Sequence, residues 1–182
     1  MASTAIDTTI AFAGASRTFR FEPGTTFRAS LADYLQLPLN VRQSGTVRVS
    51  TAVSIFGSRD SLLAVVDVED NAGLMSFGPR PPATDITFGH VAHGGGLLTS
   101  LSIASGDVAA NVAIDVYPAG GGTPRSATLT LGPNQQISKL LSDLVPTVIT
   151  QMGGYIRVRS SQPIWTWETF SSSQSMASGP PM

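Results

Sequence analysis

The sequence predicts an all-β protein built from two related antiparallel β-sandwich units of immunoglobulin-like type, the first of them incomplete. Three observations support this prediction: a long internal repeat, apolar residues at every second position, and turn-forming residues spread along the chain. Eighteen glycines and twelve prolines in 182 residues suit short strands joined by turns. No apolar run approaches the roughly 20 residues that span a bilayer, so no membrane insertion is predicted.

The internal repeat has the length of a domain. Residues 19–34 return in related form as residues 129–144, with Pro23 matching Pro133 at an offset of 110. A repeat this long is not a small solenoid unit. It predicts two copies of one fold.

The proposed boundary between the copies is a stiff proline-rich segment at residues 78–82. We therefore predict an N-terminal sandwich at residues 1–83 and a C-terminal sandwich at residues 84–182. Matching residues 5–7 to residues 113–115 leaves four residues before this point in the N-terminal copy. The C-terminal copy has two strand patterns there, so the N-terminal copy is predicted to lack its first strand.

Alternation predicts which side chains of the C-terminal copy face its core. Short helical segments are predicted at residues 30–35 and 138–144, each followed by a proline. The residues predicted to face the core are Leu97, Thr99, Leu101, Ile103, Val112, Ile114, Val116, Ala127, Leu129, Leu131, Ile156 and Val158.

Composition argues against several classes of function. Eleven basic residues balance twelve acidic ones, which gives no electrostatic attraction toward nucleic acid. Cysteine is absent, so neither disulfides nor thiolate-bound metals are expected. No convergent acid, base or nucleophile is recognisable, and we predict neither an enzyme nor a cofactor.

Residues 88–99 read Phe-Gly-His-Val-Ala-His-Gly-Gly-Gly-Leu-Leu-Thr. This segment resembles the Phe-x-His-x-Ala-x-Gly-Gly-Gly-x-x-Thr opening motif of tandem extracellular β-sandwich repeat domains in bacterial secreted and cell-surface proteins. Residues 129–133 and 154–158 resemble later strands of the same domains. Gly89 replaces the expected proline, and His93 stands where an acidic or small residue is commoner. The resemblance implies an extracellular or cell-surface module without enzymatic activity.

Two clusters could hold a metal ion, and each also has a structural explanation. His90 and His93 are the two histidines of the chain, and on a strand their spacing points them to opposite faces. Asp67, Glu69 and Asp70 offer oxygen ligands for calcium, but charged turns after strands are common. We predict no metal site from either cluster.

Three aromatic residues are candidate ligand or interface residues. Trp165 and Trp167 share one face of a predicted strand, and Tyr155 precedes them on the strand before. If exposed, such a row could stack on sugar rings, and if buried it would fill the core or an interface.

The leading functional prediction is a structural protein that polymerises by β-strand complementation. A sandwich without its first strand exposes an unpaired edge that a neighbouring copy can fill. The candidate donor segments are residues 4–12, with Ile6, Ile10 and Phe12, and residues 174–182, with Met176. Repeated head to tail, this contact would build an open filament.

Two alternatives stay open. One is a carbohydrate-binding or adhesion module, with surface glycans as partners of Trp165 and Trp167. The other is a fragment of a longer tandem-repeat surface protein, in which the missing strand lies upstream. The sequence does not distinguish these alternatives from self-assembly.

Overall fold

A computed structural model of the chain describes residues 5–12, 14–22, 24–40, 47–51, 66–70, 73–78, 81–172 and 175–179. The prediction of an all-β protein with antiparallel sheets is confirmed. Two compact units divide the chain: a first unit, Met1–Ala64, and a second unit, Val65–Met182. This division lies before the boundary predicted after residue 83. The linker predicted at residues 78–82 falls within the range of the second unit.

The first unit contains a three-stranded antiparallel sheet and one helical turn. The described elements are β1 (Ile6–Phe12), β2 (Ala15–Phe21), α1 (Leu31–Leu35) and β3 (Arg48–Thr51). The strand order is β2-β1-β3, so β1 is central. The Ser30 hydroxyl caps α1 by accepting a hydrogen bond from the Asp33 amide at 3.4 Å. This helical turn lies within the helical segment predicted at residues 30–35.

The second unit carries the larger sheet system. Its elements are β4 (Val66–Asp70), β5 (Gly73–Phe77), β6 (Ala83–Phe88), β7 (Ala92–His93), β8 (Leu98–Ser105), β9 (Ala110–Tyr117), β10 (Arg125–Leu131), β11 (Gln136–Leu140), α2 (Leu141–Leu144), β12 (Gln151–Met152), β13 (Tyr155–Ser171) and β14 (Met176–Gly179). Among the described residues of both units, no helix is long and apolar enough to cross a membrane.

One long strand, β13, joins the two halves of a single seven-stranded sheet. Its first part pairs with β9 and β6, and its second part pairs with β8 and β14. The register shifts between Arg159 and Ile164, in a stretch that includes Pro163, which lacks a backbone donor. One half of this sheet runs β10-β9-β13-β6 and the other β11-β8-β13-β14, and we call these halves the first and the second sheet.

The core of the second unit lies between the inward faces of these sheets. The alternation predicted for β8, β9 and β13 is confirmed, since Leu101, Ile114 and Val158 are completely buried. Further apolar residues come from α2 and from the segment before β7, including Leu141 and Val91. Burial of such side chains is the main force that holds the unit together.

The pairing of β1, β2 and β3 reproduces that of β9, β10 and β13 residue by residue. Ile10 lies between Arg17 and Val49, as Ile114 lies between Ala127 and Val158. The repeat detected in the sequence is therefore a repeat of strand register. One detail of the sequence alignment is wrong.

The residue equivalent to Ile114 is Ile10, four positions beyond the predicted Ile6. The cause is the length of a loop. The connection between β1 and β2 spans residues 13–14, whereas that between β9 and β10 spans residues 118–124. Positive φ angles at Gly121 and Gly122 allow the longer turn.

The helical prediction for residues 138–144 is correct in part. Residues 136–140 form strand β11, and the helical turn α2 begins at Leu141. Strand structure prevails before Leu141 because β8 offers an edge with which β11 pairs, from Gln136 opposite Ala104 to Leu140 opposite Ser100.

Candidate functional site

The counterpart of β11 in the first unit is an exposed segment without strand structure. At the repeat offset of 110, residues 136–140 correspond to residues 26–30. All five of these residues are exposed, and among the described residues of the first unit no strand pairs with them. We call residues 26–30 the open edge. An unpaired edge of this kind exposes backbone donors and acceptors to a strand from another molecule.

The inner face of the first unit is also less covered than its counterpart. We define this face by the alternate residues of β1 and β2, which are Ile6, Thr8, Ile10, Phe12, Ala15, Arg17, Phe19 and Phe21. In the second unit the residues equivalent to Ile6, Ile10 and Phe12 are at most 1% exposed. In the first unit these three side chains are only half-buried. The sheet therefore has an apolar face that is incompletely covered.

Four aromatic rings connect the inner face to the open edge. Phe19 lies 4.6 Å from Phe27 between ring centroids, and Phe27 lies 5.1 Å from Tyr34. Phe21 completes this aromatic cluster, 4.9 Å from Phe19. Phe27 belongs to the open edge and remains 40% exposed. An exposed phenylalanine beside an unpaired edge provides apolar area that a partner could bury.

Two polar atoms in the same region have unmet hydrogen-bonding capacity. Among the described residues, neither the Thr8 hydroxyl nor the Tyr34 hydroxyl has a hydrogen-bond partner, although both oxygens are buried. Buried polar groups are normally paired, because an unpaired one costs about 1–3 kcal/mol. Both atoms mark the inner face as a surface that a partner could complete.

The structure places the predicted donor residues in paired strands. Ile6, Ile10 and Phe12 lie on β1, which is hydrogen-bonded to β2 on one edge and β3 on the other. A donor role for residues 4–12 would require both ladders to open. Met176 lies on β14 and pairs opposite Ser171 of β13.

The structure separates Tyr155 from the two tryptophans. Trp165 and Trp167 lie beyond the register shift of β13, on the face opposite buried Ile164 and Thr166. Both are half-buried, and among the described residues the Trp167 indole nitrogen is buried without a partner. Tyr155 instead stacks on Tyr117, with centroids 4.2 Å apart. Trp165 and Trp167 therefore share one face, as their spacing predicts, and Tyr155 lies near the other end of the same strand.

A polar face of the first sheet contains paired charges that sequence reasoning missed. Arg157 donates two hydrogen bonds to Asp85, at 2.9 and 2.5 Å, and these hold the pKa of Asp85 below its ordinary value. Arg159 donates to Asp115 at 2.7 Å. Burial acts to raise the pKa of Asp115, but hydrogen bonds from Ser126 and Arg159 lower it further than burial raises it.

A shallow hollow of about 680 Å³ lies at one end of this polar face, around Ala113. Arg159 and Thr128 flank Ala113 on the neighbouring strands, and Asn111 accepts a hydrogen bond from Thr130 at 2.9 Å. The corresponding place in the first unit is occupied by a hydrogen bond between Thr9 and Thr18, at 2.8 Å. In the sequence, these polar residues looked like an ordinary solvated strand face.

The histidines and carboxylates considered in the sequence can be located in part. Among the described residues, no three histidine, cysteine, aspartate or glutamate side chains converge. His90 is exposed against Phe170, at 5.5 Å between rings, and Glu22 lies 3.5 Å from Arg20. The side chains of the candidate calcium cluster at Asp67, Glu69 and Asp70 lie outside the described part.

No family model matches the chain, and no curated protein does. Two solved structures are similar in fold. The crystal structure of Thermotoga maritima 1070 has 16% identity and a TM-score of 0.46, covering 54% of this chain and 94% of that chain. The Anabaena sensory rhodopsin transducer has 18% identity and a TM-score of 0.39, covering 47% of this chain and 79% of that chain. The antiparallel β architecture itself is established by the ladders described above.

Proposed function

We propose that this chain is a non-catalytic structural protein of the bacterial cell surface or extracellular space that assembles with further copies of itself. Copies join where a strand from one pairs with the open edge of another. The observation that carries the proposal is the contrast between β11, which is paired with β8, and residues 26–30, which are exposed without strand structure.

The addition of a strand would complete two features of the first unit, the open edge and the incompletely covered inner face. A strand at the open edge would satisfy backbone groups and would bury Phe27, which is 40% exposed. It would also begin to cover the half-buried inner face. In the second unit β8 performs this role for β11, so the fold itself provides the model for the contact.

The C-terminal segment, residues 174–182, is the donor that we favour. Removing β1 would dismantle the sheet that is to be completed, because β1 is its central strand. By contrast, β14 has four residues and its described ladder involves β13 alone. A short strand with one ladder detaches at lower cost than a central strand with two. Repetition of this contact between copies is heterologous and builds an open filament.

The proposed surface or extracellular location rests on the resemblance of residues 88–99 to the opening motif of bacterial cell-surface repeat domains. The balanced charge of the chain agrees with a partner other than nucleic acid. Neither argument identifies an export route.

Changing Phe27 to aspartate is expected to weaken self-association at least about tenfold, since it places a charge where a large apolar surface is buried. The measurement is the concentration dependence of mass in light scattering coupled to gel filtration, with electron microscopy of the concentrated sample. Ser16→Asp is the matched control, because Ser16 is exposed on the opposite face of the same sheet. Wild-type protein that stays monomeric at high concentration would reject the proposal.

A mixing experiment tests the direction of donation. A chain truncated after residue 173 keeps the open edge but lacks the donor, whereas Phe27→Asp keeps the donor but lacks a working edge. Each should be monomeric alone, and together they should form a one-to-one complex. Filaments of the truncated chain would show that a different segment donates.

Carbohydrate binding or adhesion is the second candidate function, and the polar face favours it. Tyr155 is 38% exposed and stacked on Tyr117, and the hollow around Ala113 presents hydroxyl, amide and guanidinium groups. An exposed aromatic ring on the same face of the sheet as such donors and acceptors suits a sugar ring. Trp165 and Trp167, which are half-buried, offer less free surface.

For this second candidate, Tyr155→Ala is expected to lower glycan binding about tenfold, because the stacking surface is lost. Trp167→Ala is the comparison and should retain most of the binding while circular dichroism shows an intact fold. Glycan arrays provide the measurement. Loss of binding in Trp167→Ala with retention in Tyr155→Ala would move the site to the tryptophan face.

A further inference from the structure

Glu168 is a buried carboxyl group inside the second unit. Its side chain is 1% exposed and lies on the inward face of β13, opposite Leu101 of β8. Among the described residues, its Oε1 atom has no hydrogen-bond partner. A carboxyl group in such a place is costly to ionise, because water and counter-charges are excluded from it.

The C-terminal strand β14 closes this site. Glu168 pairs in register with Gly179, the last residue of β14. A Cβ atom on Gly179 would lie 2.6 Å from the Glu168 Oε2 atom, so the carboxyl group occupies the space that this glycine leaves. The ring of Phe170 lies 3.0 Å from the same point. Detachment of β14 would remove one wall of the carboxyl site and open it to water.

The described neighbours provide no compensating positive charge. Thr99, Leu101 and Ile103 of β8 share the inward face with Glu168, and none of them titrates. His90, whose ring contacts Phe170, is the titratable residue described next to this end of the strand. β5, which contacts β14, contains no titratable residue. The acidic residues of β4 lie one strand further on, paired with β5.

We infer that β14 is a detachable latch, closed while the Glu168 carboxyl group keeps its proton and released when it ionises. The release itself is independent of the proposed function. Only the next step rests on that function: the released β14 is then free to pair with the open edge of another copy.

The direction of the pH dependence follows from the burial. Burial raises the pKa of Glu168 from 4.5 to about 8 in the closed state. In the open state the group is exposed to water and titrates near 4.5. Rising pH therefore favours the open state across the interval between these values, by about tenfold per pH unit. Above about pH 8 both states are ionised, and the preference no longer changes.

Hydrogen exchange of the β14 amides in wild-type protein and in Glu168→Gln tests the latch. Exchange chemistry accelerates with pH in both proteins, so the informative quantity is their rate ratio at each pH. This ratio should rise about tenfold per pH unit from about pH 4.5, until β14 exchanges at its unprotected rate or the pH reaches about 8. The amides of β9 serve as the internal reference, because they exchange through opening of the whole unit and should stay better protected than those of β14 in wild-type protein at every pH.

Glu168→Met provides a second neutral variant if glutamine disturbs the fold, and tryptophan emission reports whether each variant is folded. A rate ratio that stays constant from pH 5 to 9 overturns the latch. So does protection of β14 equal to that of β9 in wild-type protein at each pH, because the whole unit would then be opening. Pairing of the released strand with the open edge is measured separately, by the mixing experiment, so either idea can fail alone.

Discussion

Glu168→Gln is expected to stabilise the second unit at pH 8 and to change its stability much less at pH 4. The reason is that wild-type protein must keep a proton on a buried carboxyl group which the unfolded chain releases. Burial raises the pKa of Glu168 to about 8 in the folded protein, against 4.5 for the free group. Below pH 4.5 both states hold the proton and no stability is lost. Between the two values the folded state binds more protons, so stability falls as pH rises.

The loss amounts to about 1.4 kcal/mol per pH unit, and to several kcal/mol over the whole interval. It should appear as the difference between wild-type protein and Glu168→Gln in urea unfolding at pH 4, 6 and 8. Emission of Trp165 and Trp167 follows the unfolding, and since these are the two tryptophans of the chain the signal reports the second unit.

Asp107→Asn is the control for removing one carboxyl group, because Asp107 is exposed in the loop between β8 and β9. Its pH profile should run parallel to that of wild-type protein. Equal pH profiles for Glu168→Gln and wild-type protein would mean that Glu168 is already hydrated or paired in the folded state.

Ile114→Ala is expected to cost about 3–4 kcal/mol, and the matched change Ile10→Ala less than half of that in dilute protein. The two residues occupy the same place in the repeated register, at the centre of β9 and of β1. Ile114 is completely buried, whereas Ile10 is half-buried on the inner face of the first unit. Truncation of a fully packed side chain loses more contacts and leaves a larger cavity.

Hydrogen exchange of each mutated strand gives the opening free energy of its own unit. The comparison should be repeated at concentrations at which the chain associates. If strands from another copy complete the first unit, the cost of Ile10→Ala increases toward that of Ile114→Ala. Equal losses of stability for Ile10→Ala and Ile114→Ala in the dilute monomer would show that the inner face of the first unit is already fully covered. The physical basis of assembly would then be lost.

Much of the second unit could be predicted from local pattern. Alternation identified the inward residues of β8 and β9, and Gly121 and Gly122, which the sequence places among turn-forming residues, adopt positive φ angles between β9 and β10. These features are local. The side chains of a strand point alternately to its two faces whichever strand it pairs with, and glycine tolerates positive φ angles wherever a turn requires them.

Pairing partners were harder to predict. The alignment of β1 with β9 was four residues out, since the sequence match could not reveal how many residues the intervening loop had lost. The helical prediction before Leu141 failed because β8 offered an edge to β11. Both errors concern the partner of a strand, and neither is visible in the strand itself.

The sequence alone determined that this protein is all-β, that a pattern of strands is repeated in it, and which side chains alternate toward a core. Only the tertiary structure decided that β13 changes partners midway along one sheet, that Tyr155 and Trp167 lie apart, and that Glu168 is buried beneath β14. The physical reason is that alternation and turn preference arise from each residue and its chain neighbours. Burial and charge state depend on which distant strand covers the residue.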